Sequence, residues 1–158
     1  MKKVIITLAL IVIAFAMFAQ EIEWYKNIEN ALVEAEKEDK TVFIHFTGSD
    51  WCVWCHRLEG EVYEKESFMK YANENLVMVK LDFPRNIPQA AAEKEYNNIQ
   101  AQKFMIRGFP TVLLLDKNGK LVGKTGYQRG GPDNYVEHLK SFIDVDQDVD
   151  ENVDEDEK

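Results

Sequence analysis

With 158 residues, 46% hydrophobic and 11% aromatic, the chain is long enough for one domain with a proper core and too short for two. Its net charge is −9; setting aside Lys2 and Lys3 gives −11, of which residues 144–158 carry −8, leaving −3 for residues 20–143. A folded part so balanced, with no run of Lys and Arg, has no footprint for nucleic acid.

The chain opens with Met1-Lys2-Lys3 and an apolar stretch from Val4 to Phe18, with small residues at Ala14, Ala16 and Ala19. A short positive start, an apolar middle and small residues at its end form the pattern of a secretory signal. Residues 1–19 are therefore expected to be removed and the protein exported, to a periplasm or beyond. The alternative is a retained anchor, although the run falls short of the roughly 20 residues of a spanning helix. No cysteine lies near the cleavage region to accept a lipid.

From Trp24 to Asp39, Ile28, Leu32 and Ala35 recur at helical spacing among Glu and Lys, which predicts an amphipathic helix covering one face of a sheet. Residues 41–46 are β-branched and aromatic and run into Thr47-Gly48-Ser49-Asp50, a buried strand followed by a loop. Residues 53–58 continue as helix, Gly60 weakens it, and Ser67 is placed to cap a further helical stretch through Asn73. Residues 76–82 form a second strand, parallel to the first by the right-handed crossover such units share. Residues 89–104 favour helix, 111–115 strand, Asp116-Lys117-Asn118-Gly119 a hairpin turn and 121–125 an antiparallel edge strand. Pro132 then opens a last helix through Ile143, with Tyr135, Val136, Leu139 and Phe142 on one face.

The end differs in kind. Residues 144–158 hold nine acidic residues, one Lys and no aromatic, the composition of a disordered tail. Asp144, Asp146, Asp148 and Glu155 fall in the register of a calcium loop, but Val149 stands where its sharp turn requires Gly, so no metal site is expected there.

The two cysteines stand three positions apart in Trp51-Cys52-Val53-Trp54-Cys55-His56, after a strand and at the start of a helix. A thiol at a helix N-terminus faces unpaired N–H groups and the positive end of the macrodipole, which favour thiolate. Cys52, nearer the end, is the expected nucleophile: it would attack a partner's disulfide, and Cys55 would attack the mixed disulfide to release the partner. Other readings share these residues. A static disulfide would restrain the unfolded chain little across so small a loop. Cys-x-x-Cys-His is also an attachment signature for c-type haem, with His56 as ligand, although the flanking strand–helix–strand pattern is unlike a small helical haem domain. Zinc would find Cys52, Cys55 and His56 but no second cluster.

Residues 24–142 resemble the thioredoxin superfamily, on Trp51-Cys52-Val53-Trp54-Cys55 together with Ile106-Arg107-Gly108-Phe109-Pro110-Thr111. The resemblance implies a thioredoxin-like α/β fold, three layers around a central mixed sheet, and a thiol–disulfide oxidoreductase needing no cofactor and acting as a monomer. It maps Pro110 onto the family's cis-proline, Phe109 onto the residue whose backbone pairs with an extended substrate, and Gly126 onto a glycine that lets the partner approach. Trp51 matches the tryptophan that shields the nucleophile, and Trp54, unusual between two cysteines, is expected to face a protein partner. Lys80 matches a lysine that accompanies a buried Asp in the family; His45 stands in place of that Asp, with proton transfer or a plain structural role both open. The surrounding residues look most like exported relatives, including soluble domains of transmembrane disulfide reductases. That likeness favours the reducing direction, with protein disulfides or dithiols as substrates and a membrane thiol protein as donor. The alternative of another class is a peptide-binding module with an inert disulfide.

Overall fold

The structure is a computed structural model and describes residues 21–155, with side chains to Asp144. Five strands form one sheet in the order β1-β3-β2-β4-β5, where β1 is Trp24–Tyr25, β2 Thr41–Thr47, β3 Leu76–Asp82, β4 Thr111–Leu115 and β5 Leu121–Thr125. β2 runs parallel to β3, with Thr41 opposite Leu76 and Thr47 opposite Asp82, and antiparallel to β4. The helices are α1 (Ile28–Glu38), α2 (Val53–Leu58), α3 (Glu66–Asn75), α4 (Ala91–Lys103) and α5 (Gly131–Glu155). A π-helical turn, Glu59–Tyr63, continues α2 through Gly60.

The period of two in β2 decides the layers. Val42, Ile44 and Phe46 meet Ile28, Ala31 and Ala35 of α1 in one core, while Phe43 meets Leu58, Tyr63, Phe68 and Tyr135 of α2, its π turn, α3 and α5 in the other. With helices on both faces of a mixed sheet, the chain has the three-layer architecture expected of it.

Several boundaries depart from the sequence reading. Trp24–Tyr25 is not helix but a two-residue strand paired with Met78 and Val79; Asn27, whose side chain accepts from the Asn30 N–H, starts α1 after it. α3 begins one residue before Ser67, at Glu66, with no side-chain cap. The helix predicted over 89–104 starts at Ala91 and closes at Lys103. α5 runs past Ile143 to Glu155, so helical backbone covers most of the segment expected to be a disordered tail; its acidic residues include no Pro or Gly to stop the helix. The expected signal segment, residues 1–19, and the side chains of the calcium register beyond Asp144 lie outside what is described.

Gly123 of β5 lies under α5, where an added Cβ would sit 2.8 Å from Cγ of Phe142 and 3.2 Å from Cδ1 of Leu114. Gly123→Ala is expected to cost about 1–3 kcal/mol by overpacking. Urea unfolding checks this, and an unchanged midpoint would show that Phe142 gives way freely.

Candidate active site

β2 ends at Thr47, and the next residues turn sharply beneath the Trp51 ring; a side chain at Gly48 would collide with that ring. The turn is tied to the segment following β3. Ser49 donates its N–H (2.8 Å) and hydroxyl (2.5 Å) to the Asp82 carboxylate. The Asp50 carboxylate accepts the N–H of Arg85 at 3.0 Å and of Asn86 at 2.5 Å, and these bonds, that of Arg85 first, hold its carboxyl below the usual carboxylate range. Trp51 donates Nε1–H to the Phe83 carbonyl at 2.8 Å, and the Arg85 guanidinium covers its ring at 3.7 Å. His56 donates Nε2–H to the Ser49 carbonyl at 2.7 Å, closing the loop from the helix side.

This loop delivers Cys52 to the N-cap of α2. Cys52 and Cys55 are joined as a disulfide, their Cα atoms 5.2 Å apart. Cys52 is 5% exposed and Cys55 wholly buried, so of the pair only Cys52 keeps any surface. The Cys55 N–H points at Cys52 Sγ from 3.2 Å, the capping bond that would favour a thiolate once the disulfide opens.

The Phe109–Pro110 peptide bond is cis. Phe109 packs edge-on against Trp51 with ring centroids 5.6 Å apart, which brings the proline loop to the cysteine loop. Gly126 lies against the same proline: an added Cβ would stand 2.9 Å from the Pro110 carbonyl oxygen. Trp54 is 47% exposed and leans on Tyr127, 5.2 Å between centroids, with the Arg57 guanidinium over its ring at 5.1 Å. The sequence-derived candidates Trp51, Cys52, Trp54, Cys55, Phe109, Pro110 and Gly126 thus gather at the carboxyl end of β2 and the amino end of β4, linked through Trp51–Phe109, Gly126–Pro110 and Trp54–Tyr127. Tyr127 is a member that sequence reasoning did not name.

Residues 28–143 match the Thioredoxin-like domain family. The chain belongs to the thioredoxin-like family. It is 31% identical over 125 residues to the disulfide bond reductase DsbH of Chlamydia pneumoniae, covering 79% of this chain and 75% of that protein. A solved DsbH oxidoreductase superposes with a TM-score of 0.73 at 31% identity, over 80% of this chain and 87% of the other. A putative disulphide-isomerase from Bacteroides thetaiotaomicron shares the fold, with a TM-score of 0.61 at 24% identity over 80% of this chain and 96% of that one. The protein is a thiol–disulfide oxidoreductase, and Cys52 and Cys55 are its Cys-x-x-Cys pair. Among the described residues, no group of three or more His, Cys, Asp or Glu could hold a metal ion, and no helix is long and apolar enough to cross a membrane.

The thioredoxin-like scaffold places His45 and Lys80 side by side in the β2–β3 register. Their settings differ. His45 is wholly buried, its ring edge-on to Tyr63 at 5.2 Å, and among the described residues neither ring nitrogen has a hydrogen-bond partner. Burial, and then the Lys80 charge, push its pKa from 6.5 down to about 3. A histidine so placed is neutral near pH 7 and has no partner to pass a proton to, which argues for the structural role over proton transfer. Lys80 instead pairs with Glu59, Nζ to Oε1 at 2.5 Å. Glu59 follows Cys55 by one helical turn, its N–H bonded to the Cys55 carbonyl, and its side chain is 24% exposed. Sequence reasoning overlooked this carboxylate because it looked for one in β2.

The buried histidine makes stability depend on pH with a definite sign. Between pH 6.5 and about 3 the unfolded chain binds a proton at His45 that the folded chain does not, so stability is lost as pH falls through this window. At about 1.4 kcal/mol per unit, going from pH 7 to 5 costs roughly 2 kcal/mol through this group alone. His45→Leu, of similar volume and with no polar atom to bury, is expected to remove that share of the acid sensitivity and to keep disulfide exchange. Denaturant titrations at both pH values check this; parallel losses in the two proteins would sink it.

Proposed function

We propose that the protein is an exported enzyme that runs in the reducing direction, transferring two electrons from the Cys52–Cys55 pair to disulfides of other proteins. The observation that carries the reading is the Cys55 N–H aimed at Cys52 Sγ, with Cys52 alone of the pair keeping any surface. In the reduced protein the Cys52 thiolate attacks one sulfur of the partner's disulfide; that S–S bond breaks, the other partner sulfur leaves as thiolate and takes a proton, and a mixed disulfide forms. Cys55, having lost its proton, then attacks Cys52 Sγ, so the second partner sulfur leaves and Cys52 and Cys55 are left oxidised. The Chlamydia pneumoniae relative is a disulfide bond reductase, which supports the direction. The signal-like residues 1–19 support export, and an exported reductase needs a thiol donor at the membrane to restore its pair.

Phe109, beside the cis-proline, supplies the backbone against which an extended substrate lies; Trp51 shields the nucleophile, Gly126 leaves room for the partner, and Trp54 touches it. Proton loss from Cys55 falls to Glu59, held by Lys80 one turn along the same helix, and not to His45.

The test has two parts. Cys55→Ser is expected to accumulate a mixed disulfide with a protein substrate through Cys52, visible by mass spectrometry and absent in Cys52→Ser. If Cys52→Ser accumulates it instead, the roles are reversed. Glu59→Gln is expected to slow release of the mixed disulfide at least about tenfold at pH 7, the gap closing at alkaline pH where solvent base substitutes. Stopped-flow tryptophan fluorescence follows the step, and an unchanged pH profile would remove Glu59 from it.

A further inference from the structure

Of the 19 basic residues only four are arginine, Arg57, Arg85, Arg107 and Arg129, and all four stand on elements of the cysteine site. Arg85 lies over Trp51 and Arg57 over Trp54, so each tryptophan flanking Cys52 carries a guanidinium on its face. Arg107 stands two residues before Phe109, whose ring meets Trp51. Arg129 follows Tyr127 by two residues, and its charge, with that of Arg57, acts on the Tyr127 hydroxyl. All four are exposed.

The carboxylates of the same loops are already engaged. Asp50 is occupied by the Arg85 and Asn86 N–H groups, Asp82 by Ser49, and Glu61 by Tyr127 at 2.5 Å and Arg57 at 3.6 Å. On the same segments Val53, Trp54 and Met105 are exposed, at 69%, 47% and 69%. In a chain of net charge −9, these loops thus set four exposed guanidiniums against the carboxylates of Asp50, Asp82 and Glu61, each already bonded within the loops, with apolar side chains exposed beside them. Arginine suits this use better than lysine: weakly hydrated, it stacks on aromatics and binds carboxylates with two hydrogen bonds.

We propose that this face docks an extended disulfide-bearing segment of a partner protein rich in Asp and Glu beside its cysteine. This rests on the reading that protein disulfides are the substrates. The chain's own acidic segment is not the occupant within one molecule. α5 starts beside Arg129 and carries that segment away, and Asp144 lines a pocket with Asp39, Thr41 and Asn75 at the start of β2, opposite the cysteines.

The experiment uses the full mature chain with dithiothreitol as reductant and three fluorogenic peptides of one disulfide core, flanked by Glu, Gln or Lys. At about 20 mM salt the Glu peptide is expected to be reduced with a kcat/KM about 30-fold above the Lys peptide, shrinking to about threefold at 0.5 M. Arg107→Gln with Arg129→Gln should cut the low-salt preference to about a third or less, while Lys70→Gln with Lys94→Gln, an equal charge change on exposed positions elsewhere, should leave it intact. Absence of a preference, one for the Lys peptide, or an equal fall in both double variants would overturn the proposal. In a second arm, the Glu peptide with Ser in place of Cys is titrated by anisotropy, which needs no electron transfer; binding weakened only in the arginine variant supports the surface, and binding indifferent to it overturns it. If the wild type fails to reduce even the Gln peptide, the reductase reading has failed, and the anisotropy arm still decides the surface. Self-association abolished by deleting residues 144–158 would make a second copy's tail the occupant and overturn the assignment to a partner protein.

Discussion

Pairing on both edges of β2 is the constraint from which the rest follows. Parallel to β3 on one side and antiparallel to β4 on the other, with six of its seven residues buried, this strand has neither a free edge nor a solvent face. Its carboxyl end is therefore a fixed point. The cysteine loop leaves from there, the segment after β3 arrives beside it because the two strands run together, and β4 begins at Thr111, opposite Phe46, immediately after the cis-proline. Three stretches distant in sequence meet because one strand fixes all of them, as open α/β sheets build sites at strand ends.

Much of this was readable in the sequence where the signal was local. β3 and the Asp116–Gly119 turn match their predicted limits because a continuous β-branched run and an Asp/Asn/Gly turn need no distant partner to declare themselves. The cysteine motif and proline loop were legible for the same reason. What escaped depended on pairing. Trp24–Tyr25 is strand only because Met78 and Val79 offer it an edge, and two residues carry no period of their own. Lys65 stands at the N-cap position of α3 without a side-chain bond although a serine stood nearby, and the helix buries Phe68 and Ala72 all the same. Glu59 could not be connected with Lys80 until the crossover brought helix and strand together, and Tyr127 joined Trp54 only once β5 had returned.

His45 and Glu59 show how the interior handles one vacancy in two ways. Burying an unpartnered imbalance of charge is costly, so the strand position holds a neutral ring among aromatics, while Lys80 finds its carboxylate on the helix that bears the cysteines. Charge compensation is thereby moved from the sheet to the helix that carries the cysteines.

The tethered turn before Cys52 has a consequence for recognition. Ser49, Asp50 and Trp51 each hold on to the Asp82–Asn86 stretch, and His56 closes the turn from the other side. A loop bound at so many points has little freedom to rearrange when the sulfur–sulfur bond opens. Oxidised and reduced forms then present nearly the same silhouette, so a donor and a substrate can share a single landing place. What would tell them apart is the chemistry of two sulfur atoms and not the shape of the loop that holds them.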